Sequence, residues 1–279
     1  VSELLGRANR NLSESHSLHH HMFKSPTDQQ LLEASCYLML LTFVVCDVHV
    51  LSADPIQDGF QLRGDIAVPN HRNADPCTQT GCMWPKASDG KVYIPYVITS
   101  NYTAQQVSII RSGLNSFSNC TCIRFIPRHK QSNYINIKSL SGCYSSVGRV
   151  GGEQTVSISL LGCVNFGIVQ HELLHVLGFD HEQCRSDRDQ HVQILLQNVI
   201  SGTLPSMEYN FNKINTLNLG TPYDYNSVMH YNRLAFSKDN VSPTIVAIPN
   251  PNTVFGTATQ MSQNDIDRIN LLYCSKKLR

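Results

Sequence analysis

His171, Glu172 and His175 stand in the pattern HExxH, and the run continues through Gly178 to His181 as HELLHVLGFDH. On a helix, residues four apart lie one above the other, so both histidines can reach one metal ion while Glu172 projects beside it. Gly178 is the residue type that most easily turns left-handed at a helix end, which swings the chain back and lets His181 supply a third imidazole. Three histidines leave a zinc ion one open position for water, whereas closed structural sites take four protein ligands, often cysteines. The ion lowers the pKa of that water toward neutrality, and Glu172 is placed to take its proton and pass it to a leaving amine. That is the chemistry of carbonyl hydrolysis. With this composition HExxH alone arises by chance in roughly 1% of chains, and the added glycine and histidine make chance a poor explanation.

These residues need a helix over Phe166–Leu177 that stops at Gly178. Before it the chain is rich in β-branched and aromatic residues, in VYIPYVI (92–98), CIRFIP (122–127), YINIK (134–138) and TVSISL (155–160), which predict strands. Between the first two, Ala104–Phe117 follows Thr103 as N-cap and spaces Val107, Ile110, Leu114 and Phe117 for one helical face. After the metal-binding run, regular periodicity fades until NDIDRINLLYC, a short helix capped by Ser262 or Asn264. No internal repeat breaks the pattern. One α+β domain with two lobes is the simplest arrangement.

The net charge is +1 with 15% charged residues, so no one-signed field exists to attract nucleic acid. Ten cysteines without a CxxC pair point to disulfides and an oxidising compartment. Residues 37–53, YLMLLTFVVCDVHVLSA, form an apolar run ending in small residues, which fits a secretory signal cleaved near Ser52 or Ala53. Asp47 and His49 interrupt it and disfavour a stable membrane span. Residues 1–36 form an N-terminal extension outside the fold, with Met22 and Met39 as alternative starts. Residues 54–72 read as an extended pro-segment, and 73–279 as the catalytic domain. Sequons stand at Asn101, Asn119 and Asn240.

HELLHVLGFDHEQCRSDRD (171–189), followed by SVMHY (227–231), resembles the astacin family of zinc endopeptidases, within the metzincins that share HExxHxxGxxH and a later Met-turn. The segments HRNAD, TCIRFIPR, GCYSSVGRVGG, GIVQHEL and TPYDYNSVMHY extend the resemblance from about Arg72 to Cys274. They bring it nearest the six-cysteine fish astacins that include choriolytic hatching enzymes. The resemblance implies a two-lobed α+β fold: a twisted mixed sheet plus helices in the N-terminal lobe, an irregular C-terminal lobe, and one Zn2+ in the cleft between. It implies that Met229 forms a hydrophobic floor below the metal and that Tyr231 is a displaceable ligand that stabilises the transition state. Read by themselves, the two would be core filler and a buried polar aromatic.

The same resemblance implies the disulfides Cys77–Cys82, Cys122–Cys274 and Cys143–Cys163. Cys120 and Cys184 remain, each unusual for the family, and a fourth bridge between them is expected, with two free thiols as the alternative. Latency is expected too: Asp65, in LRGDI, matches the aspartate by which astacin pro-segments occupy the zinc's open position, the alternative being a solvated turn residue. Cleavage after Arg72 by a trypsin-like protease would free Asn73, whose ammonium would be drawn toward Glu182.

The expected product is a secreted, monomeric extracellular protease, stored in granules before release, whose edge strand at the cleft binds protein substrate in extended conformation by β-augmentation. Egg-envelope proteins and a broader range of tissue proteins are the competing substrates. A silent binding protein on the same fold is the competing function.

Overall fold

The computed structural model describes residues 60–69, 81–202 and 206–275. The leader segments 1–36 and 37–53 and the expected processing site at Arg72 and Asn73 lie outside them. Strands β1 (Phe60–Arg63) and β2 (Ile66–Pro69) form a hairpin. They are followed by β3 (Val92–Ile98), helix α1 (Ala104–Cys120), β4 (Ile123–Pro127), β5 (Tyr134–Lys138), β6 (Cys143–Ser145), β7 (Glu153–Ile158) and helix α2 (Phe166–Val176). The remainder is mostly 3-10 turns and loops, with β8 (Val192–Ile194) paired to β9 (Ile245–Ala247), helix α3 (Gln263–Ile269) and a π-helical turn at Asn270–Cys274. This is the expected α+β arrangement.

The seven-stranded sheet runs β1-β2-β6-β7-β5-β3-β4 and is mixed: β3 is parallel to β4 and β5, β5 to β7, and β2 to β6, while β6 and β7 are antiparallel. Val92, Ile94, Ile123, Ile135, Ile137, Val156 and Ile158 point from alternate strand positions into one core. Helix α1 covers them with Ile110, Leu114 and Phe117, and α2 adds Val169, Leu173 and Leu174. A second cluster, around Val192, Phe211, Tyr223, Phe236, Ile245 and Phe255, makes the other lobe.

Local signals account for most element ends. Thr103 caps α1 in a full capping box with Gln106, and the helix runs three residues beyond the expected Phe117 until Thr121 closes it onto the Phe117 carbonyl. β7 begins two residues earlier than expected, because its ladder to β5 starts at Tyr134 and Glu153.

Cys122–Cys274 and Cys143–Cys163 are formed. Cys82 is disulfide-bonded, and its expected partner Cys77 lies outside the described residues. The expected Cys120–Cys184 bridge is not formed: both are free. The reason is position. Cys120 is exposed on the last turn of α1, where its thiol turns back to the Ser116 carbonyl and its backbone carbonyl accepts from Asn270, beside the C-terminal turn. Cys184 is fully buried in the turn after His181, with its thiol on the Asn210 carbonyl.

Candidate active site

Helix α2 delivers the first two histidines. Asn165 caps its start by accepting from Gly167, and Gly178, at φ +97°, ends it in the left-handed conformation that an L side chain resists. The carbonyls left over at the helix end are all taken: Gly148 and Gly178 donate to His175, Trp84 to Val176 and Tyr273 to Leu177. The exit turn is therefore fixed, and with it the return of the chain that carries His181.

His171 and His175 each donate from Nδ1 to a carbonyl at 2.8 Å, those of Val228 and Phe179. A carbonyl only accepts, so Nδ1 holds a proton in both rings and Nε2 is the atom turned inward, where a metal would take its lone pair. His181 joins them, and ligand atoms of His171, His175, His181 and Asp65 all lie within 4.8 Å of one another. The Nε2 atoms of His175 and His181, Oδ1 of Asp65, Oε2 of Glu172 and the Tyr231 hydroxyl are buried without a hydrogen-bond partner. Converging imidazole lone pairs with buried, unmatched polar atoms fit a zinc ion.

Asp65 sits at the tip of the β1–β2 hairpin. Its carboxylate reaches His181 Nε2 at 2.6 Å, His171 Nε2 at 3.0 Å and His175 Nε2 at 3.6 Å. Burial works to raise its pKa, but the imidazoles of His181 and His171 overcome this and hold it well below the usual carboxylate range. Burial likewise pulls His171 down, yet Asp65 beside it lifts it to about 9, while burial takes His175 to about 4. Burial, reinforced by Asp65, pushes Glu172 well above its usual value. Three imidazoles and one carboxylate thus converge as a donor set of the kind a divalent zinc ion takes.

The hairpin is held at several further points. The Ser145 amide donates to the Asp65 carbonyl at 3.0 Å, and β2 meets β6 at Ile66 and Ser145. Tyr209 donates its hydroxyl to the Leu62 carbonyl, and Arg63 pairs with Asp180. Gly64, at φ +63°, lies so close to Tyr231 that an added Cβ would collide with its hydroxyl oxygen.

Met229 is buried in the core that also holds Leu173 and Leu174 of α2, its carbonyl accepting from the Glu182 amide at 3.0 Å. The Tyr231 ring lies 4.3 Å from that of His181, its amide held by Gln183, and burial raises its phenol well above the usual value. Glu182 is buried against Arg268; the expected partner of Glu182, the ammonium of Asn73, lies outside the described residues.

Sequence reasoning missed Asp265, which accepts from Ser227 Oγ at 2.6 Å and the Val228 amide at 3.0 Å and so fixes the carbonyl that orients His171. Its place three residues after Ser262 signalled a capping box, which also forms. It missed Arg63 and Asp180 as well, although Asp180 directly precedes a metal ligand.

The sequence model of the Astacin peptidase family matches residues 79–274. The chain is 48% identical over 231 residues to high choriolytic enzyme 1 of Oryzias latipes, covering 83% of this chain and 84% of that protein. It is 46% identical over 214 residues to the low choriolytic enzyme of the same fish, covering 76% and 77%. The solved structure of high choriolytic enzyme 1, a hatching enzyme zinc-protease, superposes with a TM-score of 0.69 at 50% identity, covering 73% of this chain and all of that one. With the HExxHxxGxxH centre built as described, these matches place the chain in the astacin family of zinc metalloendopeptidases.

Proposed function

We propose that the arrangement described is the latent zymogen of a secreted endopeptidase, which acts on extended protein substrates once the segment ending at Arg72 is removed by a trypsin-like protease. The observation that carries this is Asp65 reaching all three histidines from a hairpin laid along the cleft edge of the sheet. A carboxylate is a competent zinc ligand, and in that place it excludes the water that hydrolysis needs. With the hairpin gone, the edge of β6 is free to pair with a substrate strand. Cys122–Cys274, Cys143–Cys163 and the bonded Cys82 agree with secretion, and among the described residues no helix is long and apolar enough to cross a membrane.

Zinc, when bound, supplies an acidified water and polarises the scissile carbonyl. Glu172 takes the proton from that water and returns it to the leaving amine. The Tyr231 hydroxyl, released from its contact with Gly64, donates to the oxyanion. Val228 and Phe179 keep the imidazoles oriented throughout. The two choriolytic relatives make egg-envelope proteins the proposed substrates.

The test is Glu172→Gln. The activated variant should keep its zinc while casein digestion falls by at least about 100- to 10,000-fold, the usual reach of general acid–base catalysis. Activity retained in the variant, or insensitive to a zinc chelator in the parent enzyme, would overturn the protease reading. N-terminal profiling of egg-envelope proteins after digestion tests the substrate.

A further inference from the structure

Beside the zinc ligands, a second charged contact joins the cleft to the β1–β2 hairpin. The guanidinium of Arg63 lies against the carboxylate of Asp180, with side-chain exposures of 17% and 11%. Asp180 uses Oδ1 to accept from the His181 amide at 2.7 Å, which fixes its rotamer, and turns Oδ2 to the arginine. The Cys184 thiol and the phenols of Tyr209 and Tyr231 lie within electrostatic range of the guanidinium, and the carboxylate that pairs with it is that of Asp180. Arg63 is two residues from Asp65, and Asp180 directly precedes the ligand His181. The pair therefore adjoins the place where a peptide bond would be cut.

A largely buried carboxylate is unfavourable without cationic partners, and while Oδ1 lies 3.7 Å from His181 Nδ1, Oδ2 needs one of its own. In the zymogen Arg63 is that partner. When the hairpin leaves, Oδ1 keeps its bond to the His181 amide, and Oδ2 loses its counter-charge and faces the opened cleft. We infer that Asp180 determines specificity in the mature enzyme: it forms a subsite beside the scissile bond that takes an arginine or lysine side chain of the substrate, in the place where Arg63 now lies. The inference rests on the cleft being the substrate site, as proposed above. It adds a preference that the zinc centre alone does not provide, because none of the groups around the metal discriminates between substrate side chains by charge.

The test uses the full chain activated by immobilised trypsin, with residual trypsin removed and blocked by a serine-protease inhibitor. A proteome-derived peptide library is cleaved, and only cuts abolished by a zinc chelator are counted. Arginine and lysine should be enriched at one position next to the cuts. For a peptide pair with arginine or norleucine at that position, the kcat/KM ratio should fall by about tenfold or more in Asp180→Asn, the usual worth of a hydrogen bond to a charged group. In Asp180→Lys the preference should pass to glutamate. Basic residues no more frequent near wild-type cuts than in the library, or a ratio unchanged in both variants, overturn the inference while leaving the protease reading intact. Absence of any chelator-sensitive cut in the wild type overturns the protease reading and the inference together.

Discussion

Arg268 grips Glu182 from 86 residues away, with Nη1 on Oε2 at 2.5 Å and Nη2 on Oε1 at 2.9 Å. The same guanidinium donates to the carbonyl of Pro222 and the hydroxyl of Thr221, and Glu182 also accepts from the Asp224 amide. Helix α3 is thereby tied to the residue that follows the third histidine. Arg185, 3.5 Å from Glu182, stays as a second cation when Arg268 is removed, so Arg268→Ala should lower stability by less than the about 3–5 kcal/mol of a buried pair broken outright. Chemical denaturation of the zymogen measures this; a change under about 1 kcal/mol would show that Glu182 finds other partners.

The latch at the metal has two separable parts. Asp65→Ala removes the carboxylate, and Gly64→Ala drives a methyl group into the Tyr231 hydroxyl at a backbone angle that L residues resist. Both uncleaved variants should gain peptidase activity, by about 10- to 100-fold for Asp65→Ala if the carboxylate contributes as a charged hydrogen-bonding group does. Arg72→Ala should stay latent in the presence of trypsin. Rates on a quenched peptide, with the variants confirmed intact by mass, decide the matter.

Metal removal should be visible without any assay of catalysis. The converging imidazoles bind zinc only in the folded state, and a ligand present at 1,000 times its Kd stabilises by about 4 kcal/mol. For a domain of this size that is a Tm shift of roughly 10 °C. Calorimetry of the activated enzyme should show a drop of that order with chelator and recovery with added zinc.

The two free thiols should differ sharply in reactivity. Only a thiolate attacks a labelling reagent, and burial pushes Cys184 up to about 12, so at pH 8 almost none of it is ionised. Burial raises Cys120 as well, but it stands exposed at the end of α1. Iodoacetamide should label Cys120 in the native protein and Cys184 only after denaturation, as read by peptide mapping. Absence of both labels after denaturation without reductant would mean that the thiols had paired after all.

The zinc ligands were legible because their spacing is local: i and i+4 on α2, then a glycine that must turn. The caps at Thr103 and Ser262 were legible for the same reason, since a capping side chain reaches only three residues. Arg63 and Asp180 are 117 residues apart, and nothing in either neighbourhood announces the other. The second lobe was hard to read because its strands β8 and β9 have three residues each, too few to display alternation, and its turns are held by long-range bonds such as Arg185 to the Pro222 carbonyl. The thiols of Cys120 and Cys184 misled because counting cysteines ignores where the chain places them.

The β1–β2 hairpin consists of two four-residue strands whose grip on β6 is a single register pair. While it remains on the same chain, its effective concentration at the cleft is on the order of millimolar, enough for modest contacts to hold it shut. Once severed it is a small free peptide, and an isolated two-stranded hairpin is marginal in water, so it loses its shape as it leaves and must be ordered again to return. At the dilution of a secreted enzyme that return is rare. On the zymogen reading proposed above, activation is thereby one-way by the connectivity of the chain, without any change in the contacts that the hairpin makes.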